Sequence, residues 1–266
     1  MTIIWKDFSS WDGIVRTTIT PASVLEVISK MKRAGEGGYV QDDPGWLHPL
    51  ENHLGYPIKD AINNLANALE RENIRVYHGC RPIDISSYLS KGLKVHRRNE
   101  LISELRKMVM SDTRLSRFDL DGRIGEVKKS YDNGKLFLVF DDRYMIEYAG
   151  HYLIYGGEYI ANVLRDHLEV LLEKGTPTII TVDLPGRMIS RPILEGFAKD
   201  LLTEWTRQVI NEPKSVHMRD CGVELESDLD PKYIVGHEHP LVIKDPWNSR
   251  QEYIVENNCC RTTPQA

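Results

Sequence analysis

The sequence VYHGCRP at residues 76–82 decides how the chain is interpreted. Its apolar beginning predicts a buried strand, and this strand ends on a histidine and a glycine at a turn. A short amphipathic helix is predicted next, because Ile85, Tyr88 and Leu89 share one helical face and Gly92 has the position of a C-cap. Packing explains the apolar residues of this stretch. It does not explain why a His-Gly pair should end the strand.

Length and composition bound the class of protein. With 266 residues, 41% of them hydrophobic and 27% charged, the chain can bury a substantial core. With a net charge of -5, the chain lacks the excess of positive charge that favours non-specific nucleic-acid binding. The apolar runs are shorter than the roughly 18 residues of a membrane span. The four cysteines are scattered rather than arranged as a disulfide framework. We therefore expect a cytoplasmic protein with no membrane partner.

The first part of the chain is predicted to be a helical N-terminal extension, residues 1–72. Thr20-Pro21 is a good helix start, and residues 58–69 have the apolar spacing of a second amphipathic helix. Structural packing is the preferred role for this extension, and a cap over an active site or a partner-binding segment are the alternatives. A second domain is expected over residues 73–258, followed by a tail over residues 259–266.

The rest of the chain predicts an α+β protein, because helical patterns dominate its first half and short strand patterns its end. One predicted helix follows Asp141 or Asp142, either of which can cap it, and carries tyrosines at helical spacing up to Tyr155. Strands are predicted at residues 135–140, 178–184, around 223, 233–235, 241–243 and 252–256. Further helices are predicted at residues 99–109, 160–171 and 194–209.

A family resemblance follows from these parts. The YHGCRP segment, the helix after it and then Lys91-Gly92-Leu93 resemble the opening of the histidine-tyrosine-glutamate class of NAD-dependent ADP-ribosyltransferases, the diphtheria toxin-like and PARP-like class. The resemblance extends over about residues 74–257, with an apolar strand ending in Pro185-Gly186 as a further matching part. It implies an α+β fold with a split core of two sheets that holds NAD in the cleft between them.

The resemblance implies an NAD-binding role for the end of the first strand. In this family the histidine binds a ribose hydroxyl of the adenosine half, and His78 matches it. The backbone of the next residue binds the nicotinamide carboxamide, which requires close approach and hence glycine, here Gly79. Cys80 replaces the usual Thr or Ser, and Arg81 completes the implied set. Without the resemblance, a lone histidine at a strand end is more often a structural residue.

An aromatic clamp around the nicotinamide is the second implied part. The strand LFLVF at residues 136–140 leads into Asp-Asp-Arg-Tyr144, much as the family's strand leads into its own tyrosine helix. Phe137 and Tyr148 have the family's separation between the two aromatic residues. Tyr148 is therefore the implied second ring, and Phe137 or Phe140 the first. The alternative is that these tyrosines form a half-wet face of a helix.

The third part is a carboxylate. Cleavage of the nicotinamide–ribose bond develops positive charge on the ribose, and a fixed negative oxygen beside it stabilises that charge in the transition state. In the family this glutamate opens a late strand, and Gln251-Glu252-Tyr253-Ile254 matches its position. Glu252 is thus the implied catalytic residue. Glu256 is the alternative on the same strand face, and Glu224 and Glu226 are less suitable.

These parts predict a mono-ADP-ribosyltransferase that uses NAD as co-substrate and no metal. His237-Glu238-His239 could bind a metal, but no third ligand accompanies the pair, so a loop histidine pair is the preferred interpretation. The acceptor is expected to be a macromolecule, whether protein, RNA or DNA. The resemblance also suggests a bacterial toxin or anti-phage effector, whose further partner would be an antitoxin or inhibitor protein. An NAD glycohydrolase and a catalytically dead partner-binding module are the rival hypotheses.

Overall fold

The structure is a computed structural model that describes residues 1–19, 26, 30, 51, 54–127, 134–211 and 215–255. It is a mixed α+β protein, as the sequence predicts. The helices are α1 (Asp12–Thr18), α2 (Ile58–Leu69), α3 (Ser86–Lys91), α4 (Arg98–Ser111), α5 (Leu120–Glu126), α6 (Asp142–Glu147), α7 (His151–Tyr155), α8 (Glu158–Val163), α9 (Glu169–Leu172) and α10 (Arg191–Asn211). The strands are β1 (Thr2–Ile3), β2 (Asn73–Cys80), β3 (Leu136–Val139), β4 (Thr178–Pro185), β5 (Gly222–Leu225), β6 (Ile234–Glu238), β7 (Val242–Asp245) and β8 (Gln251–Ile254).

The chain divides into two compact units. The first spans Met1–Val76 and Asp183–Val223, and the second spans Tyr77–Val182 and Glu224–Ala266. The N-terminal segment therefore shares its unit with α10. The predicted functional boundaries at residues 72 and 258 stay a prediction. In the parts of the chain that the structure describes, no helix is long and apolar enough to cross a bilayer.

The first unit is built on helix packing and buried tryptophans. Helix α2 packs against both α10 and α1. The Trp5 and Trp11 rings stack with their centroids 6.1 Å apart, and both are fully buried. The Trp205 indole N–H of α10 donates to the Asp12 carboxylate at 2.9 Å, so the polar edge of this buried ring is satisfied. The predicted helix start at Thr20-Pro21 lies outside the described residues.

The main sheet has the strand order β5-β3-β2-β4-β6, with β1 paired to β2. Strands β2 and β3 are antiparallel with Tyr77 opposite Val139, and β4 and β6 are also antiparallel. Strands β7 and β8 form a separate two-stranded antiparallel sheet. The structure confirms the predicted α+β class, and the split two-sheet core stays a prediction.

The core of the second unit lies between β2, the helices α4 to α9 and the β7–β8 pair. Its buried members include Tyr77 of β2, Met145 of α6, Leu153 of α7 and Ile243 of β7. Gly150, just before α7, allows a close backbone approach by β7. A Cβ at this glycine would lie 2.0 Å from the carbonyl oxygen of Lys244. The second sheet is therefore seated directly on the start of α7.

Two helix predictions were wrong in the same way. The tyrosine-bearing helix is divided, because α6 ends at Glu147 and α7 begins at His151. The helix predicted over residues 160–171 is also divided, into α8, a 3-10 turn and α9. The apolar spacing of the short helices continues across each break, so periodicity alone could not locate the breaks. Of the two predicted caps, Asp141 is the N-cap, since its carboxylate accepts from the Arg143 N–H, and Asp142 is the first residue of α6.

Candidate functional site

His78 lies in β2, and its ring is bonded to the neighbouring strand. Its Nδ1 lies 2.9 Å from the carbonyl oxygen of Phe137. Burial lowers the pKa of His78 to about 4, against the opposing effect of this hydrogen bond, and the like charge of His96 lowers it further. The ring is therefore neutral at pH 7. Because a carbonyl oxygen only accepts, Nδ1 carries the proton, and Nε2 is left as a hydrogen-bond acceptor.

Gly79 and Cys80 at the end of β2 are both in contact with the protein interior. A Cβ at Gly79 would lie 2.7 Å from the Met145 sulfur and 3.3 Å from a Leu153 methyl, so the glycine lets two helices pack on the strand. The Cys80 thiol donates to the carbonyl oxygen of Thr178 at 3.6 Å. Burial raises the pKa of this thiol to about 12. Cys80 is therefore a protonated, unreactive thiol at neutral pH.

The Arg81 guanidinium joins three parts of the second unit. Its Nε donates to the Lys174 carbonyl at 2.8 Å, and its Nη2 donates to the Leu172 carbonyl at the end of α9. Nη2 also donates to the Tyr253 hydroxyl at 3.3 Å, and the guanidinium carbon lies 5.8 Å from the centre of that ring. A cation at a helix C-terminus is electrostatically favourable. Arg81 thus links the end of β2 to α9 and to β8.

The aromatic residues of β3 and α6 are partly exposed. Phe137 and Tyr148 are 44% and 41% exposed, which is high for large rings. Tyr144 and Tyr148 stack with centroids 5.6 Å apart and ring planes 17° apart. On Tyr148 the Arg250 guanidinium carbon lies 4.9 Å from the ring centre. Tyr148 is therefore contacted by a second tyrosine and by a cation.

Glu252 lies in β8 opposite Lys244 of β7. The Lys244 ammonium donates to the Glu252 carboxylate at 2.6 Å, and this hydrogen bond lowers the pKa of Glu252. The Glu252 side chain is 56% exposed. Side chains alternate along a strand, so Glu252 lies on the opposite face of β8 from Tyr253, which contacts Arg81. Glu252 is an ionised, solvent-accessible carboxylate next to one cation. The alternative Glu256 lies outside the described residues.

A second cluster supports the β7–β8 turn. The His151 ring stacks on Trp247 with centroids 5.7 Å apart, and Trp247 also stacks on Tyr155. The Tyr155 hydroxyl donates to the buried Asp245 carboxylate at 2.5 Å. Both ring nitrogens of His151 are buried without a hydrogen-bond partner among the described residues. Burial lowers the pKa of His151 to about 4, opposed by the nearby charge of Asp245.

The predicted residues all belong to the second unit, and direct contacts connect several of the elements that carry them. His78 contacts β3, Gly79 contacts α6 and Arg81 contacts β8. Sequence reasoning missed Lys244, Arg250 and Tyr253 as parts of this neighbourhood. The position of Tyr253 beside Glu252 was the one available signal. The other two contacts depend on hairpin register and turn geometry, which no motif specifies.

The predicted loop position of the His237–His239 pair was wrong, because His237 lies in β6 opposite Ile180 of β4 and His239 directly follows the strand. The two rings meet edge to face at 5.4 Å, and Nδ1 of His239 lies 3.1 Å from both the Thr178 hydroxyl and the Pro177 carbonyl oxygen. Burial and the neighbouring His239 lower the pKa of His237. Over the described ranges no three His, Cys, Asp or Glu side chains are grouped so that they could hold a metal ion.

Comparisons of the chain with protein-family models, curated proteins and solved structures found no significant match.

Proposed function

We propose that the protein is an NAD-dependent ADP-ribosyltransferase that transfers a single ADP-ribose to a macromolecule. The observation that carries the proposal is the contact between Arg81 and Tyr253. It ties the end of the strand that bears His78-Gly79 to the strand that bears Glu252. Residues more than 170 positions apart in sequence are thereby held next to each other. The proposed fold is the split two-sheet core of this enzyme class.

In the proposed site, NAD binds through the end of β2. Neutral His78 offers Nε2 as an acceptor for a ribose hydroxyl, since its Nδ1 proton is used on Phe137. The main chain at Gly79 binds the nicotinamide carboxamide. Cys80 and Arg81 are committed to protein contacts, so we assign them the task of supporting the strand rather than binding NAD.

The proposed chemistry is stabilisation of a developing ribose cation. Tyr148 stacks on the nicotinamide, with Phe137 and Tyr144 as the neighbouring aromatic residues. In the proposed complex the ribose reaches the face of β8 opposite Tyr253, where the Glu252 carboxylate favours the positive charge that grows as the bond to nicotinamide breaks. Its lowered pKa keeps it charged at neutral pH, which this role requires. The ion pair with Lys244 must loosen or turn for the carboxylate to act at full strength.

A protein, RNA or DNA is the proposed acceptor, and we propose a cytoplasmic toxin or anti-phage effector as the biological setting. An antitoxin or inhibitor protein would be its natural partner. These statements rest on the family resemblance alone.

The test measures the release of nicotinamide from NAD by the purified protein, with and without cell extract. The wild type, Glu252→Gln and Glu224→Gln are compared. We expect the wild type to release nicotinamide and the rate of release to fall at least about a hundredfold in Glu252→Gln. Removal of one group that stabilises charge in a transition state typically has an effect of this size. Glu224→Gln is the matched control. Glu224 is also a strand glutamate paired to a lysine, Lys135, and its side chain is 46% exposed. This control should keep full activity.

The acceptor is sought with labelled NAD in the same reactions. Label on a macromolecule supports transfer, and nuclease or protease treatment of the labelled product identifies its class. Release without label would replace transfer by NAD hydrolysis. No release under any of these conditions would overturn the enzymatic proposal and leave a partner-binding module. Equal activity in Glu252→Gln and wild type would overturn the assignment of Glu252.

A further inference from the structure

The turn between β7 and β8 has an unusual backbone. The Gln251 N–H donates to the Asn248 carbonyl at 2.9 Å, which closes a four-residue turn. Its two central residues are Ser249 and Arg250, at φ 52° and φ 57°, and they are the only non-glycine residues with positive φ over the described ranges. Two left-handed residues in succession are typical of a type I′ hairpin turn, whose usual central residues are Asn and Gly. Here the turn is made by residues that carry a backbone cost.

The strained turn presents Arg250 to an aromatic ring. The Arg250 N–H donates to the Asp245 carbonyl oxygen at 2.8 Å, which anchors the backbone of the residue. The guanidinium carbon then lies 4.9 Å from the centre of the Tyr148 ring. This distance is within the range of a cation–π contact. Backbone strain that positions one side chain is characteristic of functional segments.

Tyr148 is the ring on which the proposed function stacks nicotinamide. It already stacks on Tyr144, at 5.6 Å between centroids, and the Arg250 guanidinium lies over the same Tyr148 ring. The nicotinamide of oxidised NAD is a flat ring with a positive charge, and a guanidinium is also a flat cation. Both are attracted to the electron-rich face of a tyrosine. They therefore compete for the same surface.

We propose that Arg250 covers the nicotinamide-binding face of Tyr148 in the resting protein, and that NAD displaces it on binding. The inference rests on the proposed function, because it takes Tyr148 as the nicotinamide ring. Arg250 thus competes with the substrate for the Tyr148 ring. Its removal lowers the cost of NAD binding and leaves the chemical step unchanged. Arg250 also precedes Glu252 by two residues, so the turn that covers the ring belongs to the strand of the proposed catalytic carboxylate.

Steady-state kinetics of nicotinamide release test the proposal through the separation of KM from kcat. In Arg250→Ala we expect the KM for NAD to fall about two- to fivefold, the effect of removing a cation–π competitor at a half-exposed ring. The kcat should stay within the experimental error. Lys232→Ala is the matched control, because its ammonium lies 5.0 Å from the Tyr233 ring in the same unit. The control should change neither constant.

A binding measurement keeps this inference separate from the proposed function. 1-Methylnicotinamide, a flat pyridinium cation without the rest of NAD, is titrated into each protein and followed by NMR of the ligand. We expect tighter binding to Arg250→Ala than to wild type, and no binding to Tyr148→Leu. If the wild type releases no nicotinamide, the enzymatic proposal fails while the titration still decides the role of Arg250.

Two results would overturn the role of Arg250. The first is equal binding of 1-methylnicotinamide by the wild type and Arg250→Ala. The second is a higher KM for NAD in the variant, which would make Arg250 a group that attracts the substrate. Circular dichroism of each variant, compared with wild type, verifies that the fold is retained.

Discussion

Substitution of Gly150 by alanine directly tests the close packing of β7 against the start of α7. A Cβ at this position would lie 2.0 Å from the Lys244 carbonyl oxygen and 2.7 Å from the Ile243 Cγ2 methyl. An ordinary contact begins near 3.4 Å, so the backbone of β7 or the start of α7 must move by about 3.4 minus 2.0, or 1.4 Å. The nearest atom belongs to the main chain. No side-chain rotation can therefore relieve the clash.

The expected loss of stability follows from two opposing effects. Forced overpacking costs about 1–3 kcal/mol, and the backbone clash places Gly150→Ala at the upper end of that range. Alanine recovers up to about 1 kcal/mol, because Gly150 has helical dihedral angles and alanine favours them. The net expectation is a loss of about 2 kcal/mol. With a slope of about 3 kcal/mol per molar, the urea midpoint falls by about 0.7 M.

Urea unfolding followed by circular dichroism measures the change, with Gly125→Ala as the matched control. Gly125 lies in the last turn of α5, and a Cβ there would meet nothing within 4 Å. The control should leave the midpoint unchanged or raise it. If Gly150→Ala unfolds at the wild-type midpoint, the close seating of β7 on the start of α7 is refuted.

Three further substitutions test the surroundings of the candidate site. His151→Phe keeps an aromatic ring in the stack with Trp247 but removes the titrating group. Burial lowers the pKa of His151 from 6.5 to about 4, so the unfolded chain binds the proton more readily than the folded chain does. Wild type should therefore lose stability as pH falls from about 6.5 to 4, and the urea midpoint of the variant should fall less over that interval. Tyr155→Phe removes the hydroxyl that donates to buried Asp245 and should cost about 1–3 kcal/mol, measured by calorimetry; an unchanged Tm contradicts this. In Arg81→Lys the ammonium cannot reproduce the guanidinium contacts with two carbonyls and Tyr253, so we expect a loss of about 1–3 kcal/mol in unfolding free energy, measured by thermal unfolding. A variant as stable as the wild type would argue against a stabilising role of these contacts.

Local sequence patterns predicted many of the individual elements. The predicted helix over residues 58–69 is α2, and the strand predicted at residues 178–184 is β4 with one further residue. The Asp141 cap was also predicted, because a side-chain acceptor and the N–H that it binds are two residues apart. Such signals are local: each depends on residues within one or two turns of the chain. The NAD-binding and catalytic assignments themselves stay predictions.

The positions at which helices end within a continuous helical pattern depend on tertiary structure. The tyrosine-bearing segment has helical spacing throughout, yet α6 ends with Tyr148 as its C-cap and α7 begins after Gly150, next to which the backbone of β7 lies. No pattern within residues 141–155 contains that information, because the approaching strand is about 90 residues away. The helix predicted before β4 is also divided, at the 3-10 turn Arg165–His167.

At the candidate site, the sequence alone determined which residue types could carry NAD chemistry: His78-Gly79 at a strand end, Tyr148 after an aromatic strand, and Glu252 in a late strand. Only the tertiary structure decided what these residues touch. It commits Arg81 to α9 and Tyr253, pairs Glu252 with Lys244, and lays Arg250 on Tyr148. The physical reason is distance along the chain. Helix caps and strand ends depend on neighbouring residues, whereas these contacts depend on the register of β7 with β8 and on where that hairpin packs.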